Sequence, residues 1–148
     1  MRVVIQRCKE ASVTVDKNIV GKIKQGYTLF VGFSYNDKED VLEKMANKII
    51  NLRIFEDENE KMNYDIKTVN GSILSVSQFT LYAKLEGRRP SFTDAMKYND
   101  AKDMYKKFND ILRSHNIIVE EGIFGADMKV QLLNDGPVTI IIDSESDL

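Results

Sequence analysis

Apolar positions along this chain mostly alternate or run together, and only two stretches settle into a helical period. Val3, Val4 and Ile5 mark a strand over residues 1–7, and residues 11–15 read as a second strand. Asp16, Lys17 and Asn18 read as a turn that returns residues 19–23 as a hairpin partner. Residues 27–33 form a nearly unbroken apolar strand. Val41, Leu42, Met45, Ala46, Ile49 and Ile50 then repeat at helical spacing, with Asn36 or Asp37 as the expected cap. Residues 52–55 suggest a short strand, 56–63 a polar loop and 72–78 another strand. Ala101, Met104, Tyr105, Phe108, Ile111 and Leu112 carry a second amphipathic helix that ends near residues 114–116. Strands are expected again at 117–121, 129–133 and 138–142, and the acidic tail 143–148 is expected to fray. No linker, repeat or low-complexity segment divides residues 1–148, so the pattern predicts one α+β domain with two main helices.

The last two strands flank Asn134-Asp135-Gly136-Pro137-Val138-Thr139. A proline has no N–H for a sheet ladder, so the strand pattern is expected to break there. The break leaves main-chain carbonyls without partners, and exposed backbone is able to bind a ligand. An ordinary hairpin turn accounts for the same residues.

Composition narrows the classes. With 43% hydrophobic and 30% charged residues the chain has the make-up of a soluble globular domain. No window approaches the roughly 18 apolar residues of a membrane span, and no signal-peptide pattern is present, so the expected setting is the cytoplasm without a membrane partner. A net charge of -2, from 21 basic and 23 acidic residues, argues against gripping long nucleic acid but leaves room for one RNA end. Local basic groups occur at Lys84, Arg88 and Arg89 and at Lys102, Lys106 and Lys107. The helical lysines have Asp100 and Asp103 beside them and read as a solvated face.

Familiar catalytic patterns are missing. The single His115 has no Ser or Cys partner in view, which disfavours a triad or a histidine metal site. No phosphate-binding or dinucleotide fingerprint occurs. The lone Cys8 reads as a structural residue, and Asp57, Glu58 and Glu60 read as solvating a loop. What remains is Ser77-Gln78-Phe79-Thr80-Leu81, where a strand gives way to a loop. Its successive N–H groups suit an oxyanion, and neither hydroxyl has an evident general base.

At these two motifs the sequence resembles the D-aminoacyl-tRNA deacylase family. The Ser-Gln-Phe-Thr motif stands at 77–80 and the Asn-x-Gly-Pro-x-Thr motif at 134–139. Further similar pieces are Val4-Ile5-Gln6-Arg7, Gly87-Arg88-Arg89-Pro90-Ser91-Phe92 and Phe124-Gly125-Ala126-Asp127-Met128. The resemblance implies mixed and antiparallel sheets in a barrel-like core. It implies a homodimer that hydrolyses the ester between a D-amino acid and the terminal adenosine of tRNA, glycine included, without a cofactor or metal. Gly136-Pro137 is then expected to be cis and to enter the partner's site, where its carbonyls hold the substrate amine and exclude an L side chain. Phe79 N–H is expected to stabilise the oxyanion, with Gln78 and Ser77 shaping the adenosine end and the substrate 2′-hydroxyl assisting water. Thr80 as a nucleophile is the alternative mechanism. Arg7 is expected to tie the Gly-Pro element in place, Phe124 and Met128 to line the site, and Lys84, Arg88 and Arg89 to meet tRNA phosphates. Two departures from the family pattern are Glu121, where a threonine is commoner, and the acid in Leu85-Glu86. A non-catalytic binder of RNA ends and a small interaction protein are the rival classes.

Overall fold

The computed structural model describes residues 1–148. In chain order its elements are β1 (Arg2–Val15), β2 (Asn18–Ile23), β3 (Gly26–Gly32), α1 (Asp40–Ile50), β4 (Phe55–Glu56), β5 (Met62–Tyr64) and β6 (Ser72–Ser77). A 3-10 turn (Phe79–Tyr82), α2 (Tyr98–Ser114), β7 (Val119–Glu121), β8 (Lys129–Asp143) and α3 (Ser144–Asp147) complete it.

The two strands expected within residues 1–15 are one. Exposed Lys9 and Glu10 interrupt the apolar pattern and pair with no neighbouring strand, but the backbone stays extended through them as a bulge and the strand continues. Over Arg2–Cys8 this strand pairs antiparallel with β3, and over Ala11–Val15 it pairs with β2. Its other side carries β8. β3 and β6 are parallel, as are β6 and β7, because α1 and α2 provide the crossovers that parallel neighbours need.

The strand order β2-β1-β3-β6-β7 curls until its ends nearly meet. A Cβ placed on Gly21 of β2 would lie 2.9 Å from the Glu121 carbonyl oxygen of β7, so only glycine permits that approach. The result is the mixed, barrel-like α+β core the sequence implied. Alternation along each strand splits the apolar residues into two cores. Ile5, Leu29, Val31 and Ile73 pack against Leu42, Met45, Ile49, Phe108 and Leu112 of the two long helices. Cys8, Val13, Ile23, Leu74 and Val76 fill the smaller interior of the barrel.

Four further expectations need correction. The first is that β8 does not stop at Gly136-Pro137. Between the pairs Gln6–Thr139 and Cys8–Asn134, residues 135–138 bulge out opposite Arg7 alone, which lets the strand carry a proline. Second, neither Asn36 nor Asp37 caps α1: the Asp37 carboxylate accepts from the Ser34 N–H at 2.6 Å and from the Met1 nitrogen at 2.5 Å. Glu39 takes the cap position without a side-chain bond. Third, the polar loop 56–63 hides the β4–β5 hairpin, whose turn Asp57 shapes by accepting from the N–H groups of Asn59 and Lys61. Fourth, the tail forms a helical turn, capped by Asp143 through the Glu145 N–H at 3.0 Å and tied by the Ser144 N–H to the Met1 carbonyl at 2.9 Å. No helix is long and apolar enough to cross a membrane.

Candidate active site

Parallel pairing of β6 with β7 ends at Ser75 and Glu121. Beyond that pair the strands diverge, β6 into Ser77, Gln78 and the 3-10 turn, β7 into the loop 122–128. The space between them is a cleft of about 710 Å³ at the carboxyl ends of parallel strands, a usual address for ligands in open α/β sheets. Ser77, Gln78 and Phe79 form one wall, and Phe124 and Met128 stand on the other.

Gln78 leaves the extended region (φ -145°, ψ 79°) while its N–H still donates to the Val31 carbonyl at 2.8 Å. The chain then tightens into the 3-10 turn, closed by the Leu81 N–H on the Gln78 carbonyl at 3.2 Å. The first N–H groups of such a turn have no acceptor within it, so those of Phe79 and Thr80 are available. Gly32 of β3 lies directly beneath: a Cβ there would come 2.8 Å from the Gln78 carbonyl oxygen. The Gln78 amide donates to the Thr80 hydroxyl, and no carboxylate or imidazole reaches that hydroxyl.

Aromatic pairs frame the mouth. The Phe79 ring, 57% exposed, meets Phe92 edge-on with centroids 4.9 Å apart. Phe124 is held edge-on by Tyr98 at 5.1 Å and from beneath by Tyr105 at 5.7 Å. Of the cleft's lining residues only Lys97, Tyr98 and Asp127 carry an ionisable side chain, and all three are exposed.

Arg7, Gly136 and Pro137 lie elsewhere in the chain's fold. β8, β1, β3 and β6 are successive strands, which puts the Gly-Pro bulge three spacings, about 14 Å, from β6. The Gly136-Pro137 peptide is cis, and both residues are exposed. Arg7 beneath them is buried. Its guanidinium donates to the carbonyls of Asp135 (3.1 Å) and Ile54 (2.7 Å) and pairs with the carboxylates of Asp135 (3.5 Å) and Glu56 (3.6 Å). The bulge is thereby fixed to the strand below it and to the β4–β5 hairpin.

The basic loop divides into two kinds of residue. Lys84 pairs with Asp94 at 3.0 Å, and this hydrogen bond holds the ammonium above the ordinary lysine pKa. With the Lys84–Ser91 bridge it braces the loop base. Arg88 and Arg89 are exposed at the tip and have no ionic partner. His115 sits 3.4 Å from Glu43 at the end of α2 and does not line the cleft.

Sequence reasoning passed over Tyr98, Tyr105 and Arg2. Arg2 donates to the Leu81 carbonyl at 2.6 Å, pairs with Asp143 and lies over the Tyr82 ring, so it buttresses the end of the 3-10 turn. Tyr98 begins α2 in a polar context that gives no periodicity, and Tyr105 looked like any core residue of that helix.

A nearly closed mixed sheet with a backbone-rich cleft where two parallel strands part defines the structural class, and known proteins share it. A solved structure described as c-Myc DNA Unwinding Element Binding Protein superposes with a TM-score of 0.91 at 40% identity, covering 97% of this chain and 98% of that one. A probable eukaryotic D-amino acid tRNA deacylase shares the fold at a TM-score of 0.83 and 17% identity. The family described as D-Tyr-tRNA(Tyr) deacylase matches residues 4–143. Curated relatives named D-aminoacyl-tRNA deacylase include those of Dictyoglomus turgidum, 56% identical over 98% of this chain and 94% of its own length, and Bacillus cytotoxicus, 55% identical over 98% and 100%. The chain belongs to the D-aminoacyl-tRNA deacylase family of hydrolases.

Proposed function

We propose that this protein hydrolyses the ester of D-aminoacyl-tRNA, and of glycyl-tRNA mischarged on tRNA(Ala), as a cytoplasmic homodimer. The observation that carries the reading is a cleft whose wall offers a main-chain donor at Phe79 and no buried ionisable group, Thr80 lying outside the lining. Such a site suits a reaction in which charge develops on a carbonyl oxygen and the base comes from the substrate. Water attacks the ester carbonyl carbon, and the oxygen that gains charge is received by the Phe79 N–H. The substrate 2′-hydroxyl helps to take up the water proton. Collapse breaks the bond to the ribose 3′-oxygen, which leaves with a proton, and the amino acid is freed. Thr80 is given no covalent role in this proposal, because its hydroxyl accepts from the Gln78 amide and has no carboxylate or imidazole beside it to take its proton. Ser77 and Gln78 shape the adenosine end, Phe124 and Met128 line the opposite wall, and Arg88 and Arg89 meet the tRNA backbone with Lys84 beneath them.

Gly136 and Pro137 act on the partner's cleft. Two observations favour this. They are exposed and about three strands from their own cleft. Their strand β8 is also an edge, paired only with β1 along its 15 residues, and it exposes Leu133 and Ile141. A long apolar edge of that kind calls for a cover, and a second copy supplies one. The carbonyls of the bulge then read chirality at Cα, which suits a pocket that must accept many D side chains.

Hydrolysis of matched D- and L-tyrosyl-tRNA, with glycyl-tRNA as a third substrate, tests the reading. Release from the D and glycyl forms with the L form spared is the expected result. Binding without release would support the RNA-end binder instead.

A further inference from the structure

The place where β6 and β7 separate is pinned from α2. The Tyr105 hydroxyl donates to the Ser75 carbonyl at 2.7 Å, and the Gly122 N–H donates to the same oxygen at 3.1 Å. Ser75 is the last residue of β6 paired with β7, and Gly122 is the first residue past β7. One carbonyl therefore ties the roots of both cleft walls, and Tyr105 holds it. The Tyr105 ring also supports Phe124 on the far wall, 5.7 Å away. One turn along α2, buried Asn109 donates to the Glu121 carboxylate at 2.9 Å. Arg113 reaches the same carboxylate at 3.0 Å and the Val119 carbonyl at 2.8 Å. Ser75 Oγ and Asn109 Oδ1 are buried without hydrogen-bond partners, so polar groups have been placed in this layer beyond what core packing needs.

We propose that Tyr105, supported by Asn109, Glu121 and Arg113, is a positioning residue that sets the separation of the Phe79 and Phe124 walls and hence the rate of the reaction. The assignment rests on the deacylase reading of the cleft. Tyr105 does not line the cleft itself, so it touches no substrate. It acts on where the Phe79 N–H stands relative to a bound ester. An error of about 1 Å in such a placement costs up to a hundredfold in rate while ground-state binding is little changed.

The test is Tyr105→Phe, which keeps the ring against Phe124 and removes only the hydroxyl. With D-tyrosyl-tRNA, kcat should fall about tenfold with KM within about twofold, the signature of a lost transition-state alignment. The melting midpoint should move by no more than about 4 °C, because Ser75 keeps the Gly122 donor. Amide hydrogen exchange on the substrate-free protein reads the same geometry without catalysis. Residues 77–82 and 122–128 should exchange faster in the variant while α1 stays protected. Unchanged kcat with unchanged exchange would overturn the proposal. So would a fall in kcat explained by a population of unfolded protein, with protection lost throughout. If the wild-type protein released no amino acid at all, the deacylase reading would fail, and the exchange comparison alone would decide whether Tyr105 sets the walls.

Discussion

The Arg7 guanidinium, 4% exposed, donates to the Asp135 carbonyl 3.1 Å away, at the root of the Gly136-Pro137 bulge. It links the β4–β5 hairpin, through Glu56, to the bulge of β8 at residues 135–138. On the proposed reading, in which this exposed loop reads chirality, such a buried anchor is needed because contacts to water fix no geometry.

Replacing Arg7 with Met keeps the apolar stem but strands the Ile54 and Asp135 carbonyls. Loss of those charge-assisted bonds should cost about 2–4 kcal/mol, read as a lower urea midpoint. A midpoint equal to the wild type would mean that solvent replaces the guanidinium freely.

Gly136→Ala places a Cβ where φ is +120°, 2.9 Å from Val138 and 3.0 Å from the Arg7 guanidinium. Backbone strain of about 1–3 kcal/mol should displace the bulge. Deacylation of D-tyrosyl-tRNA should drop at least about tenfold, while an adenosine analogue still binds the cleft, as followed by calorimetry.

Gly32→Ala disturbs the other half of the site. Its Cβ would press on the Gln78 carbonyl and on Leu81 Cβ at 3.1 Å, moving the turn that carries the Phe79 N–H. We expect kcat to fall about tenfold to a hundredfold, with D-over-L preference retained in whatever activity survives. Single-turnover kinetics separates this from weaker binding.

Arg88→Ala combined with Arg89→Ala should raise KM for the tRNA substrate and leave kcat alone. Two fewer phosphate partners should flatten the slope of log KM against log salt by about 1.4 for single-stranded contacts. An unchanged slope would place the RNA elsewhere.

Acid stability should depend on Asp143. Burial raises its pKa, but the Glu145 N–H and the Arg2 guanidinium together outweigh that and hold the carboxyl below the ordinary value. A depressed folded pKa means that the unfolded chain takes up the proton more readily. The contribution is therefore complete above about pH 4 and is lost as the pH falls further. Asp143→Asn should flatten the fall in melting temperature below about pH 4.

Much of this architecture was legible from apolar spacing. Both long helices and the strand at 19–23 follow periodicity, because each buries one face, while the strands at 27–33 and 72–78 are buried on both faces and show as apolar runs. Misses arose where the backbone rather than side-chain polarity decides. Lys9 and Glu10 look like a break, yet β1 bulges through them, exchanges β3 for β2 as its partner and regains β8 beyond. Pro137 should end a strand, but a bulge over Arg7 absorbs it. Asp37 has the chemistry of a cap and is occupied by Ser34 and Met1 instead. Within the site, Ser77, Gln78, Phe79, Phe124 and Met128 do converge on one cleft. Tyr98, Tyr105 and Arg2 were silent because their roles depend on carbonyls and rings distant in sequence.

A mixed dimer tests the central claim, a D-selective site built from two subunits. One subunit carries Gly136→Ala, with an intact cleft, and the other carries Gly32→Ala, with an intact Gly-Pro bulge. If the bulge serves the partner's cleft, a heterodimer purified through two different tags contains one fully intact site. It should hydrolyse D-tyrosyl-tRNA at about half the wild-type rate, although each homodimeric variant is nearly inactive. A heterodimer no more active than either parent would contradict the shared site and return Gly136 and Pro137 to the role of a surface turn.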